Sequence, residues 1–271
     1  MPMPTTVLDP QLVASPFRMQ PGLRKLAAGE PQLTALRPGS ALHEEKRRVF
    51  EAGASRHAMP GFDPGPALEA IARQVSEQGL RIDPAAPPEL AFEEDFAVLD
   101  GVTGTLPWLC VCVPSHWAPE DKLGLDFSAV HAPVADAATL LAAGSHLVQL
   151  ATGGERWERH VWTISPSPRH DQHPRRQPRA PWPDAADAAA FAAGCWLRVE
   201  RQTFFPVGRG TRQAVFTIRV MLQPLVEAAR TLGLAPRLRE SLASMTDAVL
   251  AYKGLTPARA PLLRWLDSRA V

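Results

Sequence analysis

Residues 195–222, CWLRVERQTFFPVGRGTRQAVFTIRVML, constrain this chain more than any other segment. Two long runs rich in aromatic and β-branched residues flank a glycine-containing turn, which predicts a hairpin of two long strands. Strand side chains alternate between faces. In the first strand Trp196, Arg198, Glu200 and Gln202 therefore share one face, and Cys195, Leu197, Val199 and Arg201 share the other. In the second strand Phe216, Ile218 and Val220 oppose Thr217 and Arg219, and Arg219 is expected to join Arg198 on the polar face. A charged face of an antiparallel sheet commonly meets solvent. The alternative is that it lines a pocket.

Around the hairpin the signals change period. SALHEEKRRVFEAG predicts a helix capped by Ser40, with acids ahead of bases. PGPALEAIARQVSEQG predicts a second, with Leu68, Ile71, Ala72 and Val75 on one face and Gly79 as its stop. FEEDFAVLDGVTGTLPWLCVCVPSHW holds two β-like runs split by Asp100-Gly101 and Gly104. APEDKLG reads as a helical turn opening into a loop that carries His131. DAATLLAAGSHLVQLAT reads as a helix, RHVWTISP as a strand and ESLASMTDAVLAYKGL as a helix with a Lys-Gly stop. Residues 1–40 are proline-rich and irregular, and are expected to wrap the surface of a single domain spanning 41–271. The loop from about 165 to 184 is dense in proline and arginine, which usually marks a functional or disordered segment. Helices, strands, helix, strands, helix in that order predict an α+β domain built on an antiparallel sheet.

The 271 residues carry a net charge of only +1, so neither nucleic acid nor an anionic membrane is an expected partner. The N-terminus lacks a basic region followed by an apolar run, so no signal peptide is expected. AADAAAFAAGCWL is too short to span a bilayer. Three cysteines are too few to hold a four-thiolate iron–sulfur cluster within the chain, and suit a reducing cytoplasm. Cys110 and Cys112 alternate with apolar residues and read as small strand hydrophobes.

His131 sits among small apolar residues in Val130-His131-Ala132-Pro133-Val134, where it is either a core histidine satisfied by backbone or a ligand held toward a cofactor. His160, His170 and His173 could bind zinc, but the last two lie in the proline-rich loop and no cysteine or carboxylate completes the set. There is no G-x-S-x-G elbow and no Walker A loop. Gly208-Arg209-Gly210-Thr211-Arg212-Gln213 resembles a fragment of a dinucleotide fingerprint but falls in a hairpin turn.

Several segments occur together in a recognisable order: GLRKL (22–26), EEDFAVL (93–99), PSHWAPEDKLG (114–124), VHAPV (130–134), LRVERQT (197–203), VFTIRVMLQPL (215–225) and YKGL (252–255). On these the chain resembles the haem-dependent oxidative N-demethylase family over nearly its whole length. The resemblance implies a PAS-like antiparallel sheet flanked by helices around haem b. It implies a monooxygenase subunit that oxidises the C–H bond next to the nitrogen of a small secondary amine with O₂. Electrons would come from NADPH through a flavin-linked reductase subunit, and a folate-binding subunit would capture formaldehyde on tetrahydrofolate. It also implies roles for residues. His131 becomes the expected axial ligand, with His116, His170 and His173 as alternatives. Lys122, Arg198, Arg201 and Arg219 become candidates for the haem propionates, and Glu200 the catalytic carboxylate, holding an alkylammonium or relaying protons. The chain departs from the family's Arg-x-Asn-Trp segment, since Val161 stands for the Asn in Arg159–Trp162. Phe204 and Phe205 stand where basic residues are usual. The rival expectations are a haem-binding PAS-like sensor or carrier without turnover and a haem-free structural subunit.

Overall fold

A computed structural model describes residues 8–269. The first seven residues of the expected wrapping segment and the last two of the expected domain lie outside it. In chain order the elements are β1 (Arg24–Lys25), α1 (Ala41–Glu51), β2 (Arg56–Ala58), α2 (Gly65–Gln78), α3 (Pro88–Ala91), β3 (Glu94–Asp100) and β4 (Trp108–Cys110). Then come α4 (Phe127–His131), α5 (Ala138–Ala142), α6 (Gly144–Ala151), β5 (Trp157–Ser165) and α7 (Ala188–Ala193). The last are β6 (Trp196–Pro206), β7 (Gln213–Pro224), α8 (Leu225–Ala228), α9 (Leu234–Ser244), α10 (Asp247–Lys253) and α11 (Arg259–Asp267).

The strands form one antiparallel sheet in the order β1-β5-β6-β7-β3-β4-β2, an α+β architecture. The long hairpin, β6 with β7, is its centre. Register fixes two faces. Arg159, Val161 and Thr163 of β5 lie beside Gln202, Glu200 and Arg198 of β6, which lie beside Ile218, Val220 and Leu222 of β7. We call this the front. Trp162, Val199 and Met221 define the back, together with Phe205, Val215 and Val98.

The back is covered by α2 at one end, through Phe96, Val98, Phe205 and Val215. At the other end the C-terminal helices bury Leu197, Val199, Leu238, Leu262 and Trp265 in one cluster. Leu8 and Val13 from the irregular N-terminal segment join that cluster, and β1 pairs with β5. The front is covered in part by α1, through Leu42 and Val49 on Val220, and in part by the segment joining β4 to β5, which carries α4, α5 and α6. Among the described residues no helix is long and apolar enough to cross a membrane.

Several elements follow local chemistry. The Ser40 side chain accepts from the His43 amide and starts α1. Gly79 ends α2 in the left-handed conformation that glycine adopts without strain. The buried face of α2 is Ala67, Ala70, Ile71 and Gln74, while Ala72 is exposed. Leu68 and Val75 also pack against this cluster, so the expected face differs only in Ala72, and Gln74 turns inward with its Nε2 donating to Gln78 Oε1 at 3.2 Å. The expected helix 136–152 breaks into α5 and α6 at Ala143-Gly144, and the expected C-terminal helix breaks at Met245-Thr246.

Candidate functional site

The polar face of the hairpin is interior. Arg198 is 1% exposed. Its Nε donates to Ser115 Oγ at 2.8 Å, Nη1 to the Arg169 carbonyl at 3.1 Å and Nη2 to the His170 carbonyl at 2.8 Å. Burial pulls its pKa down to about 10, with Glu200 the first of the carboxylates that oppose this, so it stays charged at neutral pH. Arg198 thus fastens the 113–115 segment and the proline/arginine-rich loop to β6. That loop is further held by the Ser115–Gln172 bridge.

Glu200 sits at the centre of the row. Ser115 Oγ donates to its Oε1, and Gln202 Nε2 donates to Oε2 at 2.7 Å. Ser115 therefore links the Arg198 guanidinium to the Glu200 carboxylate. Arg159, also on the front face, is held below the ordinary arginine range by burial, with Glu200 its main compensating charge. Arg159 Nε is buried and finds no hydrogen-bond partner among the described residues. A buried donor with no acceptor is costly and calls for an explanation. Lys253, at the end of α10, donates to the Trp162 carbonyl at 2.8 Å, and burial draws its ammonium down to about 8. Glu200 acts on all three cations, Arg159, Arg198 and Lys253, with Glu45, Asp171 and Asp95 also acting on Arg198.

His131 does not sit in a loop. Asp126 caps α4 by accepting from the Ala129 amide at 2.8 Å, and His131 is its last residue. The ring stacks on Phe127 one turn earlier, with centroids 4.1 Å apart. Nδ1 lies 2.8 Å from the Phe127 carbonyl oxygen. A carbonyl only accepts, so Nδ1 carries the proton and Nε2 keeps its lone pair. Burial lowers the His131 pKa against the Phe127 hydrogen bond, and the nearby Arg159 and Lys122 add to the lowering. Burial and the two cations thus favour the neutral ring. Phe127 itself packs with Leu99, Val148 and Phe204 on the front of the sheet. It presses so closely on α6 that a Cβ on Gly144 would lie 2.8 Å from its ring.

The other sequence candidates are distributed differently. Lys122 Nζ donates to the Val130 carbonyl at 3.1 Å, bracing the end of α4. Arg201 and Arg219 pair across the hairpin on the back face, away from Glu200. This corrects the expectation that Arg219 joins Arg198. Arg219 is an odd-numbered position whose register partner is Arg201, and even-numbered β6 residues face the other way. Each is committed to its own carboxylate: Arg201 Nε to Glu158 at 2.5 Å and Arg219 Nε to Glu93 at 2.7 Å. They are not placed with His131. His170 meets Glu45 and His173 meets Glu120, while His160 lies near Glu158 on the back. The three do not converge, and no group of three or more histidine, cysteine or acidic side chains suited to a metal ion occurs among the described residues. His116, at φ 60°, is pushed down to about 4 by burial and by Arg179 and Arg198.

Three residues at the site carry signals that sequence reasoning had in view without assigning. Arg159 begins the Arg-x-x-Trp segment, and alternation from Trp162 puts it on the opposite face. Ser115 lies in Pro-Ser-His-Trp, and Lys253 in Tyr-Lys-Gly-Leu.

Fold and site together define an α+β protein that buries a group of cations around Glu200, beside an arm carrying His131. The chain belongs to the family described as haem-dependent oxidative N-demethylase, alpha subunit-like, whose sequence profile matches residues 66–263. That description is of a haem-dependent oxidoreductase and of a subunit of a larger assembly.

Proposed function

We propose that this chain is the haem-binding subunit of a monooxygenase that removes a methyl or small alkyl group from a secondary amine. The observation that carries the reading is the tautomer of His131: Nδ1–H is tied to the Phe127 carbonyl, which leaves Nε2 as the donor an iron needs. The buried, unpartnered Arg159 Nε fits the same group. A haem brings two carboxylates, and the buried cations Arg159 and Lys253 beside Glu200 suit them. Arg159 is the residue with a donor to spare, because Arg198 is spent on Ser115 Oγ and two backbone carbonyls. The order of the five central strands, β4-β3-β7-β6-β5, supports the PAS-like part of the reading.

Haem, when bound, supplies the iron at which O₂ is activated to oxidise a C–H bond beside nitrogen. The chain's own residues do the rest. Phe127, Gly144 and Lys122 hold the His131 ring in direction. Glu200, with a hydroxyl donor on one oxygen and an amide on the other, is placed to pass a proton through Ser115 Oγ. Its surroundings are already cationic, so proton relay suits it better than seating an ammonium. Val161 lies opposite Glu200, and Phe204 stacks on Phe216 at 4.6 Å on the same face. These apolar groups would bound the amine's alkyl groups and exclude water. Phe205 turns to the back and takes no part. Electrons would reach the site from a flavin-linked, NADPH-dependent reductase subunit, and a folate-binding subunit would take the formaldehyde.

The test is the visible spectrum of the haem-supplemented protein in ferric, ferrous and CO-bound forms, beside His131→Ala. A stoichiometric Soret band that shifts on reduction and is altered or lost in the variant is expected. An unchanged band in the variant would remove His131 as ligand. No band in a folded wild-type chain would refute the haem reading.

A further inference from the structure

A cleft of about 1110 Å³ opens at the turn end of the hairpin, between α2, β1 and the end of α6. It shares no lining residue with the His131 site. We propose that this cleft binds an organic phosphate of nucleotide size. Its walls carry Lys25, Arg73, Arg156, Arg209 and Arg212 against Glu77 and Glu155. That excess of three positive charges stands in a chain whose total is +1.

The cations are only partly neutralised. Lys25 meets Glu155 at 2.8 Å. Arg156 donates to the Ala27 carbonyl at 2.7 Å, and Arg73 donates to the Val207 carbonyl. Arg209 and Arg212 have no carboxylate partner among the described residues. Both stand on a turn closed by Thr211, whose amide and hydroxyl donate to the Gly208 carbonyl at 3.3 and 2.8 Å. Gly210 has φ +80°, a conformation that residues with a Cβ rarely adopt, so the turn holds the two arginines in fixed relation. Arginine forks match phosphate oxygens in pairs.

The cleft is also more than a charged surface. Pro206 and the edges of the nearly buried Leu26, Ala70 and Phe205 line its apolar floor, and Gln149 stands on its side. Small-molecule sites typically combine such a floor with a few convergent polar groups, in volumes of about 300–1,000 Å³. A lone phosphate would leave most of this volume unused. A base or a flavin ring on the floor with its phosphates on the arginines uses both parts. The inference does not depend on haem binding.

The experiment is titration calorimetry of the full chain with ADP, FMN and inorganic pyrophosphate, and with adenosine and riboflavin as their phosphate-free counterparts. ADP or FMN is expected to saturate below about 100 μM and to weaken with added salt, at least tenfold tighter than its phosphate-free counterpart. Arg209→Glu with Arg212→Glu, both on the exposed turn, should raise Kd at least ~10-fold without lowering the melting temperature. No saturation by either nucleotide at about 1 mM with a folded protein would overturn the proposal, as would binding that the double variant leaves unchanged. Pyrophosphate binding as tightly as the nucleotides would also overturn it.

Discussion

Arg198→Ala tests whether this arginine belongs to the protein's framework or to its cofactor. Its three nitrogens hold Ser115 Oγ and the carbonyls of Arg169 and His170 at 2.8–3.1 Å, and its exposure is 1%. Hydrogen bonds from a charged donor contribute about 1.5–3 kcal/mol each, and truncation leaves their acceptors unsatisfied. Removing the charge also relieves the desolvation that draws the guanidinium down to about 10. The net expected loss is about 3–5 kcal/mol, the range for breaking a buried charged cluster from one side. Urea unfolding of the haem-free protein should show all of it, because no acceptor involved lies on the cofactor. Arg198→Lys should recover less than half, since a single ammonium cannot reproduce a planar fork directed at three acceptors. A loss below about 1 kcal/mol in the haem-free protein, with haem retention impaired, would refute the framework role and return Arg198 to the cofactor.

Two further perturbations probe neighbouring parts of the chain. Gly144→Ala should destabilise by about 1–3 kcal/mol, because the new Cβ meets the Phe127 ring at 2.8 Å; the His131 ring proton shifts should move with it, as read by NMR. For Glu89, burial favours the neutral acid, but hydrogen bonds from Arg56 at 2.7 and 2.9 Å and from Ser55 at 2.8 Å outweigh it and bring the pKa from 4.5 to about 2. A depressed acid stabilises above its unfolded pKa, so about 2–3 kcal/mol should vanish as pH falls from 4.5 toward 2, discounted because Arg56 is half-exposed. Glu89→Gln should flatten that part of the stability–pH curve.

The hairpin was the most legible part of the chain, because eleven- and twelve-residue strands repeat the alternation often enough to fix both faces. Even there, register across the turn had to be known before Arg219 could be assigned a side. Alternation within each strand says nothing about which residue of the partner it meets. Helix α4 was hidden for the opposite reason. Five residues give little more than one turn, so its only sequence signal is the Asp126 cap. Helix α11 was also missed, since Pro261 reads as a breaker but falls in the first turn, where its missing amide costs nothing. At the site, His131, Arg198 and Glu200 could be singled out from sequence. Arg159 could not, because its importance lies in what it lacks, and an unpaired donor is visible only when its surroundings are placed.

Strand β5 separates two kinds of change. Its odd positions, Arg159, Val161 and Thr163, face the site, and its even positions, Glu158, Trp162 and Ile164, anchor the packing behind. Substitutions on one set leave the other in register, so the front wall can be varied at little cost to stability. A single inserted residue would exchange the two sets and disrupt both at once. Diversity in such a chain should therefore accumulate as point substitutions at alternate positions, with insertions confined to the ends of the strand.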